Sequence, residues 1–128
     1  MSDLKILLID DDPSINYLNK LVIKKADIQA VVCDRTQASE ALAQLSGGEI
    51  SPNLILLDIN MPIMNGWEFV AKYEQLPQQS RTSKIIILSS SINPADKEKA
   101  SSSQVISDFY SKPLSIKDVK QIRELISN

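Results

Sequence analysis

Acidic, hydroxyl and ammonium side chains follow the short apolar runs of this 128-residue chain. Asp10 and Asp11 come directly after the first run, Asp58 after a later one, Ser89 after the next and Lys112 after the last. Carboxylates that converge on one place repel one another unless a cation or a phosphate-bearing ligand balances their charge. Mg²⁺ prefers oxygen ligands, keeps several waters and bridges to phosphoryl groups. These residue types indicate a magnesium-assisted phosphoryl site if the fold brings them together.

Each of these residues also has an ordinary structural explanation. Asp12 precedes a proline at the start of a helical pattern, and helix capping explains it better than a place in the site. A lone Asp58 could simply end a strand, and the serine triplet at 89–91 is common loop composition. Lys112 also precedes a proline and could lie in a turn. The combination, rather than any one member, favours a site.

The residue types that are missing exclude several kinds of chemistry. The chain has no histidine, which rules out Ser-His-Asp and Cys-His catalysis and histidine-ligated zinc. Its single cysteine, Cys33, rules out an intramolecular disulfide and a multi-cysteine metal site. Its three glycines cannot form the glycine-rich phosphate-binding loops of nucleotide-binding proteins. Any chemistry must therefore rest on carboxylates, hydroxyls, amides and lysines.

Charge and hydropathy exclude two classes of partner. Fourteen Lys and Arg against sixteen Asp and Glu give a net charge of −2, without the basic surplus of a nucleic-acid-binding domain. The longest apolar runs have four residues, far short of the roughly 20 that a membrane-spanning helix needs. We expect no signal peptide before the first run. We expect a cytoplasmic protein that binds neither nucleic acid nor membrane.

The apolar runs predict the strands that must position these residues. Three runs are continuous and rich in Leu and Ile, which is typical of parallel strands covered on both faces. Two weaker candidates complete the set. The predicted strands cover residues 6–9, 30–33, 54–57, 85–88 and 105–110.

Helical patterns follow each predicted strand. They begin near Pro13, Ala38, Gly66, Pro94 and Ser115. Strand and helix thus alternate five times, which predicts an α/β fold with a doubly wound parallel sheet and helices on both faces. In this architecture ligands bind at the carboxyl ends of the strands, where the candidate residues are expected to meet.

The surroundings of Asp58 make a more specific pattern. The strand, Asp58, two further residues, Met61-Pro62, and then Gly66 eight residues after the Asp, resemble the receiver domain of two-component response regulators. Further markers of that family stand in family order and near family spacing at Asp10, Asp11, Ser89 and Lys112-Pro113. The resemblance covers residues from Leu4 to the C-terminus. Ser89 stands where the family most often has Thr, and it keeps the hydroxyl but loses the methyl group.

The resemblance implies a fold and a role for each residue. The implied fold is a (βα)5 sandwich with strand order 2-1-3-4-5. Asp58 would accept a phosphoryl group from a phosphohistidine on a partner protein. Asp11, Asp58 and the backbone carbonyl of Asn60 would hold Mg²⁺ directly, and Asp10 would hold it through a water. Lys112 and Ser89 would each contact a phosphoryl oxygen.

The resemblance also implies how the signal would leave the site. Ser89 would move toward the phosphoryl group and couple to Phe109 on the fifth strand, although Phe109 could equally be plain core packing. Tyr110 is expected on the opposite face of that strand. Asn60 and Ser91 would flank the path of the hydrolytic water.

The partner's side is expected on the first helix. There Ile15, Leu18 and Val22 have the spacing of a core-facing stripe, so Asn16 and Asn19 are expected to be exposed together with Lys20. The implied partners are a sensor histidine kinase or a histidine phosphotransfer protein, and a downstream protein target.

Two other functions remain open from the residues alone. A magnesium-dependent phosphatase would use a similar aspartyl phosphate, but such enzymes usually carry a second Asp where this chain has Asn60. A receiver-like binding module would lack some of the acidic or lysine residues that are all present here. We therefore expect residues 1–128 to be a single receiver domain with no output domain. We expect it to be no enzyme beyond its own phosphorylation and dephosphorylation.

Overall fold

The computed structural model describes residues 4–26, 28–90 and 93–127. In these ranges five strands and five α-helices alternate, as the sequence predicts. A 3-10 turn, Gln78–Ser80, precedes the fourth strand. The strands are β1 (Leu4–Ile9), β2 (Ala30–Arg35), β3 (Leu54–Asp58), β4 (Lys84–Ser89) and β5 (Ile106–Ser111). The helices are α1 (Pro13–Lys25), α2 (Ala38–Ser46), α3 (Gly66–Tyr73), α4 (Pro94–Ser102) and α5 (Ile116–Ser127).

The strands form one parallel sheet in the order β2-β1-β3-β4-β5. This order confirms the predicted fold. It makes β1 and β3 neighbours, and it makes β4 the neighbour of β3. The carboxyl ends of these strands meet at one edge of the sheet, which we call the carboxyl edge. The acidic residues that follow β1 and end β3 are therefore brought side by side.

Helices cover both faces of the sheet, and each face has its own apolar cluster. Alternate residues of β1 enter different clusters, with Leu7 and Ile9 on one face and Ile6 and Leu8 on the other. This alternation follows from the two-residue period of a strand. The first cluster includes buried residues of α2 and α3, and the second includes residues of α1 and α5. Burial on both faces explains why the central strands are continuously apolar.

Side-chain caps fix where several helices begin. The Asp12 carboxylate accepts from the Ser14 amide at 2.9 Å, which confirms Asp12 as a helix cap. Asn93 in the same way accepts from the amide of the third residue of α4. Ser115 and Asp118 exchange two hydrogen bonds at the start of α5, as their spacing predicts.

Helix α1 turns a different face to the core than its sequence predicts. Asn16 and Asn19 are 1% and 7% exposed, whereas Leu18 is 53% exposed and its neighbour Tyr17 62%. Lys20 is only partly exposed and pairs with Asp34 of β2. The prediction that Asn16 and Asn19 are exposed is therefore wrong. For Asn16 the reason is that it lies at the ends of β1 and β2, where its Nδ2 donates to the carbonyls of Asp10 and Arg35, which an apolar side chain could not do.

Smaller differences concern the bounds and the register of the strands. Strand β5 begins at Ile106, one residue later than predicted, and its register with β4 shifts between Ile85 and Ile86. Ser91, which the family resemblance puts near the path of the hydrolytic water, lies outside the described residues.

No helix within the described ranges combines the length and the apolar character needed to cross a membrane.

Candidate functional site

Three carboxylates meet at the carboxyl edge. Asp10 and Asp11 follow β1, Asp58 ends β3, and one oxygen of each lies within 4.8 Å of the others. Asp10 and Asp58 are 4% and 5% exposed, while Asp11 is open to solvent. Carboxylate oxygens are hard ligands, so this donor set has the chemistry that suits Mg²⁺. The residues present thus fit a magnesium ion held from one exposed side.

Lys112 reaches two of these carboxylates from the end of β5. Its Nζ lies 2.6 Å from Oδ2 of Asp10 and 3.1 Å from Oδ1 of Asp58. The Lys112 amide also donates to the Ser89 carbonyl at 2.8 Å, which ties the end of β5 to the end of β4. The ammonium group therefore balances part of the negative charge that β1 and β3 bring together.

The charges at this edge shift two pKa values in ways that the contacts explain. Burial raises the pKa of Asp58, and the nearby charge of Asp10 raises it further, while Lys112 acts in the opposite direction. Burial alone would lower the pKa of Lys112, but its hydrogen bonds and charge interactions with Asp10 and Asp58 outweigh burial and raise it. The Lys112 side chain therefore stays positively charged. Its charge offsets only part of the cost of burying the Asp58 carboxylate beside Asp10.

A tight loop between β3 and α3 shapes the space beside Asp58. The Asn60 backbone amide faces the Asp58 side chain and slightly lowers its pKa, against the larger effect of burial. The Gly66 amide donates to the Ile59 carbonyl at 2.9 Å and so folds the loop back on itself. A Cβ at Gly66 would lie 2.7 Å from the Asp58 carbonyl oxygen and 2.8 Å from the Ile59 Cα. The glycine is required here because the backbone approaches too closely for any side chain.

The loop continues into a capped helix. Asn65 and Glu68 form a capping box in which each side chain accepts from the backbone amide of the other. Ile63 in the middle of the loop has a φ of 69°, a value that few β-branched residues adopt. The loop is thus fixed at its helical end by hydrogen bonds.

Ser89 and Phe109 lie on the neighbouring strands β4 and β5. Ser89 ends β4 and is fully buried, and it is paired in register with Ser111. Phe109 pairs with Ile87 and is partly buried against the cluster under α2 and α3. Tyr110 packs on the opposite face of the sheet, as predicted. The structure thus brings Ser89 to the carboxyl edge on β4. Phe109 lies on the next strand, β5, opposite Ile87.

Sequence reasoning missed one residue of this edge. Asn16 lies under the acidic turn and donates from Nδ2 to the Asp10 carbonyl at 3.1 Å. The signal that could have found it is its place in the first turn of α1, immediately after the acidic triplet, where side chains point back toward the preceding strand end. An amphipathic pattern alone treats every asparagine as a surface residue.

Comparisons with known proteins agree on one family. A family model of the response regulator receiver domain matches residues 6–124. A solved two-component response regulator from Cytophaga hutchinsonii is 32% identical, with a TM-score of 0.89, and the match covers 100% of this chain and 99% of that chain. The chemotaxis protein CheY of Listeria monocytogenes is 31% identical over 86 residues, which are 67% of each chain.

Longer relatives match over part of their length. The nitrate/nitrite response regulator NarL of Escherichia coli is 35% identical over 91 residues, which are 71% of this chain and 40% of NarL. The chain spans 20% and 30% of two further curated relatives. The functions of those longer proteins therefore belong to chains that extend well beyond the matched region.

Proposed function

This chain belongs to the response regulator receiver domain family of two-component systems, and we propose that it accepts a phosphoryl group on Asp58 from a phosphohistidine of a partner protein. The observation that carries the proposal is the convergence of Asp10, Asp11 and Asp58 within 4.8 Å, with the Lys112 ammonium 3.1 Å from the Asp58 carboxylate. A cluster of this kind is suited to bring a nucleophilic carboxylate, a cation and a phosphoryl group together.

The transfer itself asks little covalent chemistry of the protein. An Asp58 carboxylate oxygen attacks phosphorus, the P–N bond of the phosphohistidine breaks, and the departing imidazole takes up a proton from solvent. Catalysis of such a step rests on positioning and on stabilising negative charge. Lys112 supplies one fixed positive charge beside the attacking oxygen. The partly buried setting strengthens that interaction, since water screens it less than it would at an open surface.

Magnesium fits the remaining need for positive charge. We propose that Asp11, Asp58 and the Asn60 backbone carbonyl hold the ion directly and that Asp10 holds it through a water. Bound there, Mg²⁺ would neutralise charge on the phosphoryl oxygens. Lys112 now pairs with both Asp10 and Asp58, so metal binding and phosphorylation are expected to change the partners of its ammonium group.

Ser89 and Phe109 are proposed to carry the signal away from the site. A phosphoryl group adds roughly −1.5 to −2 of charge and three strong acceptors. The Ser89 hydroxyl is proposed to donate to one of these oxygens and Lys112 to pair with another. A shift of the β4 end would reach Phe109 through the pairing of β4 with β5. The phosphoryl group would bias an existing equilibrium of this surface rather than create a new one.

The exposed face of α1 is the proposed docking surface for the phosphohistidine partner. Tyr17 and Leu18 are large side chains exposed on the first turns of α1, and that helix begins directly after Asp11 and Asp12. A partner that brings its histidine to Asp58 would cover these apolar groups.

The proposed partners are a sensor histidine kinase or a histidine phosphotransfer protein, which would dock at α1, and a downstream protein target, which would recognise the surface near Phe109. The proposed compartment is the cytoplasm.

A phosphatase acting on separate substrates is the second candidate that the site chemistry allows. Its usual second catalytic Asp is replaced here by Asn60, which cannot act as a general acid or base. We therefore propose that the chain is no enzyme beyond its own phosphorylation and dephosphorylation.

Intact-mass spectrometry tests the proposal. The protein is incubated with Mg²⁺ and phosphoramidate, and a single phosphoryl adduct is expected in the wild type. The adduct is expected in Asp34→Asn, whose carboxylate lies on β2, but not in Asp58→Asn or after removal of Mg²⁺ with EDTA. An adduct of equal yield in Asp58→Asn would refute the proposed acceptor. Continuous release of phosphate from phosphate esters would favour the phosphatase.

A further inference from the structure

Asn16 holds a backbone group of the acidic turn. It is 1% exposed, and its Nδ2 donates to the carbonyl oxygens of Asp10 at 3.1 Å and Arg35 at 3.4 Å. The Asp10 amide donates to the same Arg35 carbonyl at 3.2 Å. The Asn16 amide therefore continues the β1–β2 hydrogen bonding past the end of the strands. It holds the peptide group that joins Asp10 to Asp11.

Asp10 is consequently held at its backbone and at its carboxylate. The Asp12 amide donates to its Oδ1 at 3.0 Å, and the Lys112 Nζ lies 2.6 Å from its Oδ2. Asp11 has fewer constraints because its side chain is exposed. Since the peptide group is planar, the orientation of the Asp10 carbonyl determines the direction in which the chain continues into Asp11.

The carbonyl oxygen of the Asn16 side chain indicates that core stability alone does not explain this residue. That Oδ1 is buried, and no donor in ranges 4–26, 28–90 and 93–127 reaches it. A buried acceptor without a donor is unfavourable, and an apolar side chain would avoid the cost. What an apolar side chain could not supply is the pair of N–H donors that hold Asp10 and Arg35.

We propose that Asn16 is a positioning residue that orients the Asp10–Asp11 peptide group so that both carboxylates face one magnesium ion. The inference rests on the proposed magnesium-dependent function and adds a residue to it that touches neither the ion nor the phosphoryl group. Groups that orient metal ligands from behind typically change metal affinity by 10–100-fold when they are lost. Loss of the Asn16 amide is expected to weaken Mg²⁺ binding about tenfold.

A Mg²⁺ titration followed by amide NMR shifts tests this role without any phosphorylation. Asn16→Ala is compared with the wild type and with Asn19→Ala, which removes a second buried amide one turn further along the same helix. Both variants are expected to melt at a lower temperature than the wild type. Only Asn16→Ala is expected to bind Mg²⁺ about tenfold more weakly, so affinity separates positioning from a general loss of stability.

A conservative variant and a fallback complete the test. Asn16→Gln keeps both N–H donors and is expected to bind Mg²⁺ more tightly than Asn16→Ala. If Asn16→Ala does not fold, Asn16→Leu, which fills a similar volume without a donor, is titrated in its place and is expected to show the same loss of Mg²⁺ affinity. Affinity equal to that of Asn19→Ala in the folded Asn16 variant would overturn the positioning role alone. A wild type that binds no Mg²⁺ would overturn the proposed function and the role of Asn16 with it.

Discussion

At the scale of single residues, Lys112 sets the charge balance of the carboxyl edge. Its side chain is 18% exposed, and those of Asp10 and Asp58 are each 6% exposed. Removing one partner of such a group leaves poorly hydrated charge without compensation. Lys112→Ala is therefore expected to lower the free energy of unfolding of the metal-free protein by about 3 kcal/mol.

Magnesium should restore part of that loss, because an ion that binds the folded state stabilises it. Urea unfolding with and without Mg²⁺ measures both effects. Lys20→Ala is the control, since its pair with Asp34 is more exposed and its loss is expected to cost about 0.5 kcal/mol. Equal losses in the two variants, or no magnesium effect on Lys112→Ala, would contradict this charge balance.

Tyr110 gives the structure a pH dependence away from the carboxylates. Burial raises its pKa above 10.0, and the charges of Asp108 and Asp118 raise it further. The folded protein therefore holds this proton more tightly than the unfolded chain. The corresponding stability is fully present below pH 10.0 and is lost as the pH rises from there through the raised pKa.

Unfolding free energies at pH 9 and pH 11 measure this loss. Tyr110→Phe is expected to lose less stability between these two values than the wild type. Tyr17→Phe, at an exposed tyrosine, is expected to behave as the wild type does. A Tyr110→Phe variant with the wild-type slope would show that the shift in pKa is absent.

At the scale of elements, the loop from β3 to α3 depends on one glycine. Gly66→Ala would bring a Cβ to within 2.8 Å of the backbone of Asp58 and Ile59. Backbone atoms cannot move aside as the end of a flexible side chain could. The expected cost is about 1–3 kcal/mol, together with slower phosphorylation, because the clashing backbone atoms belong to Asp58 and to the residue after it. Urea unfolding and the rate of adduct formation measure the two effects.

Gly47→Ala is the matched control for that loop. Its added Cβ would lie 3.5 Å from the Ala43 carbonyl oxygen, an ordinary contact, so the change is expected to stay within about 0.5 kcal/mol. A Gly66→Ala variant as stable and as readily phosphorylated as Gly47→Ala would contradict the close approach at Gly66.

The elements also show what the sequence could predict. Continuous apolar runs predicted the positions of β1, β3 and β4, because strands buried on both faces have no polar alternation to obscure them. Caps at Asp12 and at Ser115 with Asp118 were equally readable, because they depend on residues within one turn.

The face of α1 was predicted wrongly because it depends on distant backbone. The buried Asn16 side chain donates to carbonyl groups at the ends of β1 and β2. One of these carbonyls belongs to Arg35, 19 residues away. The pairing of Lys112 with Asp10 likewise joins residues 102 positions apart. Residue types near the strand ends pointed to the site, but which groups pair could be seen only in the folded chain.

At the scale of the whole molecule, helix α4 buries fewer of its residues than helix α3 does. Among its described residues only Ala100 is buried, whereas α3 buries four residues. Lys97 and Lys99 instead lie over the rings of Phe109 and Trp67, at 5.8 and 5.5 Å from their centroids. Few buried contacts predict a low free energy of local opening.

Hydrogen exchange measured by mass spectrometry tests this difference. Amides of α4 are expected to exchange at least about tenfold faster than those of α3, which corresponds to about 1.4 kcal/mol of opening free energy. If the proposed signal passes through Phe109, we expect α4 to be displaced more readily than α3. Equal protection of α3 and α4 would contradict this view of how the signal spreads.

The central claim, that Asp58 is the phosphoacceptor, has one direct test. The protein is phosphorylated with phosphoramidate and Mg²⁺ and then reduced with borohydride, which converts an aspartyl phosphate into homoserine. Peptide mass spectrometry then locates the converted residue. Homoserine at position 58, and at neither Asp10 nor Asp11, is the predicted result. Homoserine at another aspartate, or none in a sample that carries the adduct, would contradict the account.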